Sequence, residues 1–510
     1  MPIIIVMLVV FVAVLVFVGF MCRKKATDVN SFVLGGRSVG PWLTAFAYGT
    51  SYFSAVIFVG YAGQFGWKFG VASTWIGIGN AILGSLLAWI VLGRRTRLMT
   101  HKLDSKTMPE FFAGRFKSKG LRILSSLIIF VFLIPYTASL YNGLSRIFEM
   151  AFHIDYTYCI IGMAVLTAIY VIVGGYLATA VNDFIQGIIM LAGIVLVVLA
   201  VLNINGGFMS SIEALANVQG DSSIPGAYIS FFGPLPVDLM GVIILTSLGT
   251  WGLPQMVQKF YAIKHEDSIR KGTIISTIFA VVVAGGCYFL GGFGRLFMTQ
   301  EEVTANGFDS IIPTMLESLP DMLVGIVIVL VLSASMSTLS ALVLTSSSTL
   351  TLDIIDKNIV KNMSEKGKLL WVRLLVVAFI AISAVIAIIQ FNSSVTFIAQ
   401  LMGVSWGALA GAFLAPFLYG LYWKGTTKLS CYVCFSFASI IMILNLFFRS
   451  SFPTLLQSPI NCGAFTMIAG LLIVPIVSLI SPKPDRKLVE DTFSCYNKEV
   501  VAQAKTSLED

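Results

Sequence analysis

Charge, histidine and patterned cysteine are all scarce in this chain. Asp, Glu, Lys and Arg make up only 11% of 510 residues, too little to cover the surface of a soluble globular protein. The three histidines, His101, His153 and His265, fall at or outside the ends of apolar runs, which argues against a histidine-based metal site. Seven cysteines offer no metal or disulfide spacing. Cys431 and Cys434 form a CxxC inside an apolar run, where small-residue packing accounts for them better than redox chemistry. Without clustered carboxylates or metal spacing, no enzymatic activity is expected. What the chain has is apolar length: 57% hydrophobic residues and a mean hydropathy of +0.91.

Apolar runs of about 20 residues are long enough to cross a bilayer as helices. The first is Met1 to Met21, and others fall near 41–67, 71–93, 121–149, 155–175, 183–204, 237–258, 272–297, 321–352, 369–391, 394–423, 428–448 and 461–481. The expected fold is an all-α integral membrane protein of about thirteen transmembrane helices. A helical bundle in lipid is one unit, so residues 1–481 read as a single domain and 482–510 as a tail. A signal peptide would carry its charge first; here Arg23, Lys24 and Lys25 follow the apolar run, so an uncleaved helix is expected.

The net charge of +8 sits in short loops, not in a stripe that would bind nucleic acid. One set of loops carries Arg94, Arg95, Arg97, Lys102, Lys106, Arg115, Lys117 and Lys119, then Lys259, Lys264, Arg270 and Lys271. Lys357, Lys361, Lys366, Lys368, Lys424, Lys428, Lys483, Arg486 and Lys487 complete it. The long loops from Asn203 to Asp238 and from Met298 to Asp321 contain no Lys or Arg. Basic loops stay in the cytoplasm, so the N-terminus is expected outside and the C-terminal tail inside, in a multi-pass plasma-membrane protein.

Beyond the first helix, the next ten spans divide into two sets of five, residues 41–204 and 237–423, with two further helices over 428–481. An odd number per set gives the sets opposite orientation, as in an inverted repeat. Both opening spans are interrupted. The first contains Tyr48-Gly-Thr-Ser-Tyr-Phe-Ser-Ala-Val-Ile-Phe-Val-Gly60, and the sixth contains Thr246-Ser-Leu-Gly-Thr-Trp-Gly-Leu-Pro-Gln255. Gly249, Gly252 and Pro254 weaken the helix in mid-membrane and free backbone carbonyls there. Such irregular backbone is tolerated only where protein or a watery cavity receives it, and matching breaks in two halves point to a binding site.

The stretch from Ser333 to Leu350 is apolar yet crowded with hydroxyls, and it carries no charge. Ser333, Ser337 and Ser340 recur at i, i+4, i+7, and Ala334, Ser337, Thr338 and Ala341 at i, i+3, i+4, i+7, each set on one helix face. Such a face serves close helix packing with back-bonding hydroxyls, or it offers neutral oxygens to a hard cation such as Na⁺.

Gly174-Gly-Tyr-Leu-Ala-Thr-Ala-Val-Asn-Asp-Phe-Ile-Gln-Gly187 is the most specific string in the chain. It resembles the signature of the sodium/solute symporter family. Ala334-Ser-Met-Ser-Thr-Leu-Ser340 resembles that family's eighth core helix, and Gly411-Ala-Phe-Leu-Ala-Pro416 with Leu421-Tyr-Trp-Lys424 its tenth. Gly35-Gly-Arg-Ser-Val-Gly-Pro-Trp42 resembles the lead-in to the first core helix. The resemblance covers essentially residues 1–481, lies nearest the proline and pantothenate branch, and implies a LeuT-type 5+5 inverted repeat.

Carried onto this sequence, the resemblance implies a sodium site of five neutral oxygens: the carbonyls of Thr50, Phe53 and Ala334 and the hydroxyls of Ser337 and Thr338. None of these titrates near neutral pH, which suits sodium better than a proton. Some members hold a second sodium between the Asp183 position and three serines. Ser337 and Ser340 match two of them, but Ala341 replaces the third, so one sodium is expected. Asp183 then organises Ser337 or serves the cytoplasmic gate.

The implied solute pocket lies between the two breaks and the third and tenth helices. Its candidates are Ser54, Ile57, Tyr136, Thr137, Asn142, Thr250, Trp251, Gln255, Ser405 and Trp406. The proline carriers' first-helix aspartate corresponds to Tyr52, and their aromatic pocket positions to Val56, Thr246 and Thr250. The sugar carriers' polar positions correspond to Ile57, Gly77 and Pro254. These departures point to a small, mostly apolar anion or zwitterion, such as a carboxylate, an amino-acid-like or a pantothenate-like solute. The expected activity is sodium-coupled import by alternating access, with sodium, solute and membrane lipid as partners and no nucleic acid. The alternative is a transporter-fold sensor or receptor working with a separate signalling partner, since about 30 residues after Ile480 are too few for a signalling domain.

Overall fold

The computed structural model describes residues 2–22, 28–218, 224–360, 363–393 and 398–497. Arg23, Lys24, Lys25 and Lys361, part of the charge pattern above, lie outside them. The described residues are almost entirely helical. Helix α1 is Pro2–Cys22; α2 is broken into Pro41–Tyr52 and 56–69; α3 covers 74–102; and α4 is Lys119–Phe152. Helices α5 and α6 form one rod, Tyr156–Ile204, kinked at Gly175. Helix α7 is broken into Pro236–Gly252 and Pro254–Tyr261, and α8 is Asp267–Gly291. Then follow α9 (Asp321–Ile359), α10 (Glu365–Ser393), α11 (Ile398–Tyr422), α12 (Lys428–Phe447) and α13 (Pro459–Ile480).

Among the described residues, ten helices are long and apolar enough to cross a membrane, and the bent α7 pair makes an eleventh. The count of about thirteen differs because α2's second half and α3 run on as one apolar segment and α5 is short. Helices α2–α6 and α7–α11 form the two sets of five, each opened by a broken helix.

The two breaks have different local causes. At Leu253 the backbone turns extended (φ −74°, ψ 122°) because Pro254 forbids the helical basin to the residue before it, and the two halves bend by 43°. The break in α2 has no proline. Phe53 leaves the helix at φ −103°, ψ 126°, and the chain resumes as a π-helical turn, Val56–Tyr61. That break is held by its neighbours: Ser335 of α9 accepts the Ala55 N–H at 3.3 Å, at the start of the second half. Gly175 at the α5–α6 kink has φ +58°, and a β-carbon there would meet the Phe32 ring at 2.8 Å.

Packing places α9 at the centre. Every residue from Val327 to Thr349 is buried, and α9 lies against α1, α4, α6 and α10. Helix α11 packs against α4, α7, α12 and α13. Apolar side chains exposed on α1, α5, α6, α8, α10, α12 and α13 make the outer wall, as lipid requires.

Candidate functional site

Because α9 has no lipid-facing surface over its hydroxyl-rich stretch, each hydroxyl must find a partner in protein or a ligand. Two of them reach the break in α2. Ser337 donates to Thr50 Oγ1 at 2.7 Å, and Thr50 in turn donates to the Phe46 carbonyl at 2.8 Å. The Thr338 hydroxyl lies 3.3 Å from the Thr50 carbonyl and 3.1 Å from the Ala334 carbonyl. Four of the five oxygen-bearing residues expected together, Thr50, Ala334, Ser337 and Thr338, therefore share one hydrogen-bonded cluster. Phe53, the fifth, is the residue at which α2 leaves helical geometry. The cluster is neutral and fully buried, so its oxygens are dipoles without competing water.

Ser340 behaves differently. It donates to its own helix, to the Ser337 carbonyl at 2.8 Å, the back-bonding typical of a packed membrane helix. Asp183, about two turns into α6 (Gly175–Ile204), faces Lys259 of α7 with 3.8 Å between Oδ2 and Nζ. Both are buried, and the Lys259 ammonium also lies 5.2 Å from the centre of the Tyr176 ring. Neither Asp183 oxygen accepts a hydrogen bond among the described residues. Ser337 is its neighbour, but the one hydroxyl proton of Ser337 points to Thr50. A buried carboxylate in this state is balanced by the ammonium alone. Lys259 is a partner that sequence reasoning left out of the site; it lies 76 positions from Asp183, too far for any local signal to pair them.

The expected solute residues separate into three groups. Ser54, Tyr136 and Trp406 converge at the α2 break: the Tyr136 and Trp406 rings meet edge to face at 5.8 Å, and Tyr52 stacks on Trp406 at 6.0 Å. Gly249 lets the indole seat against α7, since a β-carbon there would lie 2.8 Å from it. The Ser54 hydroxyl, the Tyr136 hydroxyl, the Trp406 indole N–H and both amide atoms of Gln255 are buried without a partner among the described residues. Buried polar groups rarely stay unpaired, so each of these atoms is open to a water or a ligand. Ile57 is buried on the same broken helix.

Thr250 and Trp251 instead serve the framework. Thr250 donates to carbonyls of Gly84 and Ser247, both at 2.9 Å, and the Trp251 indole donates to the Leu83 carbonyl at 2.9 Å. Thr137 and Ser405 also spend their hydroxyls on backbone, at Leu133 and Phe132. Asn142 lies farther along α4, six residues and roughly 9 Å of helical rise beyond Tyr136. There its amide bonds the Tyr156 hydroxyl and the Gln390 side chain. Tyr52 was visible in the sequence only as the residue in place of an aspartate; the fold stacks it on Trp406 and gives its hydroxyl to the Thr246 carbonyl.

Comparison with known proteins follows this geometry. The chain is 29% identical over 493 residues to a sodium/proline symporter of Staphylococcus aureus (strain JH9), covering 94% of this chain and 93% of that one. A Na⁺-coupled sialic acid symporter, solved substrate-bound and outward-open, superposes with a TM-score of 0.73 at 17% identity, over 95% of this chain and 99% of its own. A nucleobase-cation-symport-1 family transporter in a closed conformation superposes with a TM-score of 0.52 at 15% identity, over 90% and 97%. The shared architecture is the LeuT-type inverted repeat. The family model for the sodium:solute symporters matches residues 32–430, and with that span and the broken-helix architecture this chain belongs to the sodium:solute symporter family.

Proposed function

We propose that this protein is a sodium-coupled secondary symporter that imports a small organic solute by alternating access. The observation that carries the reading is the meeting of Ser337 and Thr338 on α9 with Thr50 at the break of α2. A sodium ion there would be held by the Ser337 and Thr338 hydroxyls and the carbonyls of Thr50, Phe53 and Ala334. All are hard, neutral oxygens, which fits a monovalent hard cation and offers a proton no group to titrate.

Sodium works through the broken helix. Turning the Ser337 and Thr338 lone pairs toward the ion ties α9 to α2, the helix that also carries Ser54 and Ile57. That linkage fixes the wall of the solute pocket. Freed from Thr50, the Ser337 proton can serve Asp183, so that ion binding also reaches the Asp183–Lys259 pair. The bundle then rocks about the fixed midplane site and opens to the other side. With the basic loops inside, sodium and solute enter from outside across the plasma membrane.

The Ser340 back-bond and the methyl group of Ala341 support one sodium per cycle. One ion brings about 2.3 kcal/mol per 100 mV of membrane potential. A tenfold gradient adds about 1.4 kcal/mol, so accumulation reaches several hundredfold. The solute pocket offers Ser54, Tyr136, Trp406 and Gln255 between aromatic walls and no carboxylate, which favours a small, mostly apolar anion or zwitterion. Proline, the solute named for the Staphylococcus aureus relative, is one such zwitterion.

The test is uptake into proteoliposomes from a panel of radiolabelled carboxylates, amino acids including proline, and pantothenate. Under an inward sodium gradient at least one accumulates, and it does not when sodium is replaced by choline. Equal uptake driven by a proton gradient without sodium refutes the ion assignment.

A further inference from the structure

We infer that the tail segment 486–497 is an inner latch, in which Phe493 and Tyr496 position the end of α11 against α3 and hold that side of the transport path shut. The segment folds as a helix, Arg486–Phe493, whose cap Asp485 accepts the Lys487 N–H at 3.0 Å, and a final turn, Ser494–Tyr496. It lies on the end of α3 and on the short helix Met108–Phe116 that follows, and buries Val489, Thr492 and Phe493.

The latch starts from a need of α11. Its last carbonyls find no N–H within their own helix. Two arginines supply donors from outside it. Arg115 donates through Nε to the Gly420 carbonyl at 3.0 Å and through Nη2 to the Trp423 carbonyl at 3.3 Å. Arg95 of α3 donates through Nη1 to the Leu421 carbonyl at 3.2 Å. Both cations also oppose the negative end of the helix dipole. Tyr422 strengthens the joint by donating its hydroxyl to the Val91 carbonyl of α3 at 2.6 Å.

The tail covers both arginines. The Arg115 guanidinium carbon lies 4.9 Å from the centre of the Phe116 ring and 4.9 Å from that of Phe493. That of Arg95 lies 4.0 Å from the Tyr422 ring and 4.6 Å from the Tyr496 ring. Each guanidinium therefore has one ring from the transporter body and one from the tail. Such contacts gain strength where water is kept away, and Arg115 is fully buried. Tyr496 also donates to the Arg95 carbonyl at 3.4 Å, and Asp491 pairs with Lys102 of α3 at 3.0 Å.

The inference rests on the symport reading for its direction: with the basic loops inside, these ends of α3 and α11 face the cytoplasm. Residues Thr44–Tyr52 of α2 and Pro254–Tyr261 of α7, the inner halves of the two broken helices, are buried here. The engaged latch thus belongs to a state closed on the inner side. Helix α3 lies in the first set of five and α11 in the second, so rocking one set against the other shears this joint. Every contact from the tail then favours the closed population over the open one.

The experiment is hydrogen–deuterium exchange, read by mass spectrometry, on full-length protein in nanodiscs in sodium-free choline buffer. In the double variant Phe493→Ala with Tyr496→Ala, peptides covering residues 44–52 and 254–261 exchange at least about threefold faster than in the parent. Peptides at the outer ends of α4 and α8 do not speed. Phe493→Tyr with Tyr496→Phe, which keeps both rings, leaves the inner peptides at the parent rate. Asp491→Lys sets a cation against Lys102 on the surface, speeds the same inner peptides to a smaller extent, and decides the matter if the double variant does not fold. Inner peptides unchanged in these variants, or inner and outer peptides speeding alike, overturns the latch. Sodium-driven uptake by the parent protein reads the symport reaction separately, so failure of one is distinguishable from failure of the other.

Discussion

Replacing Ser337 by alanine removes one oxygen from the cluster at the α2 break and nothing else of size. In the present geometry Ser337 donates to Thr50 Oγ1 at 2.7 Å, and Thr50 keeps its own donation to the Phe46 carbonyl at 2.8 Å. No buried donor is orphaned, so the cost to folding is that of one neutral hydrogen bond, about 1 kcal/mol. The cost to sodium is larger, because a bond to a charged group is worth about 2 kcal/mol in a buried site. At 1.4 kcal/mol per factor of ten, that raises the half-saturating sodium concentration about 30-fold. The assay is initial solute uptake into proteoliposomes at clamped potential over a sodium titration, with maximal uptake at saturating sodium largely retained. Thr338→Ala, which removes the hydroxyl near the Thr50 and Ala334 carbonyls, shifts the curve in the same direction, and Thr338→Ser restores most of it. Ser340→Ala, whose hydroxyl serves only the Ser337 carbonyl, moves it less than threefold. Curves for Ser337→Ala and Thr338→Ala within twofold of the parent would refute the assignment.

The Asp183–Lys259 pair gives a second expectation: removing either charge alone strands the other in a buried place and costs about 3–5 kcal/mol. Thermal unfolding in detergent should show Asp183→Asn and Lys259→Gln each strongly destabilised and the double variant less so than their sum; simple additivity would show the charges to be uncoupled. Asp309 adds a pH dependence. Burial raises its carboxyl from 3.8 to about 6, against the opposing pull of the Ile398 N–H and Arg146; Tyr156 and Glu149 are the other titratable groups around this corner. A raised folded-state value stabilises the protonated fold, so the contribution is complete below about pH 4 and is lost as pH rises through about 6, a swing of about 3 kcal/mol. The melting temperature should therefore be higher at pH 5 than at pH 7.5, and Asp309→Asn should remove that difference; an unchanged pH slope in the variant contradicts it. Gly66→Ala should abolish the folded monodisperse protein, because its β-carbon would come within 2.0 Å of the Gly291 backbone. Gly19→Ala, with open space around it, should not, and equal size-exclusion profiles for the two would show that the α2–α8 contact yields.

Much of this architecture was legible along the chain because membrane helices announce themselves locally. Each needs about 20 apolar residues to cross lipid, so boundaries followed composition; most span limits fall within about six residues of the helices observed, while α3, α6 and α9 run seven to nine residues beyond theirs. The interruption of α7 was equally local, since Pro254 dictates an extended residue before it wherever it sits. The break in α2 was less so. Its glycines flagged the segment, but the helix opens at Phe53, and Ser335, one hydroxyl among many on α9, receives the N–H of Ala55 just beyond.

The sequence by itself determined the helix inventory, the loop-charge asymmetry and the hydroxyl face of α9, because each depends on residues within a turn or two of one another. Only the tertiary structure decided which of those hydroxyls meet a partner. Ser337 and Thr338 reach Thr50, nearly 290 positions away, while Ser340, one turn on, folds back onto its own helix. It likewise sent Asn142 to Tyr156 and Gln390 rather than to Tyr136, and turned Thr250 and Trp251 to the backbone of α3. The physical reason is the same throughout. A hydroxyl or an amide is equally content with its own helix, a neighbouring backbone or a ligand, and only the packing of distant segments fixes which is within reach.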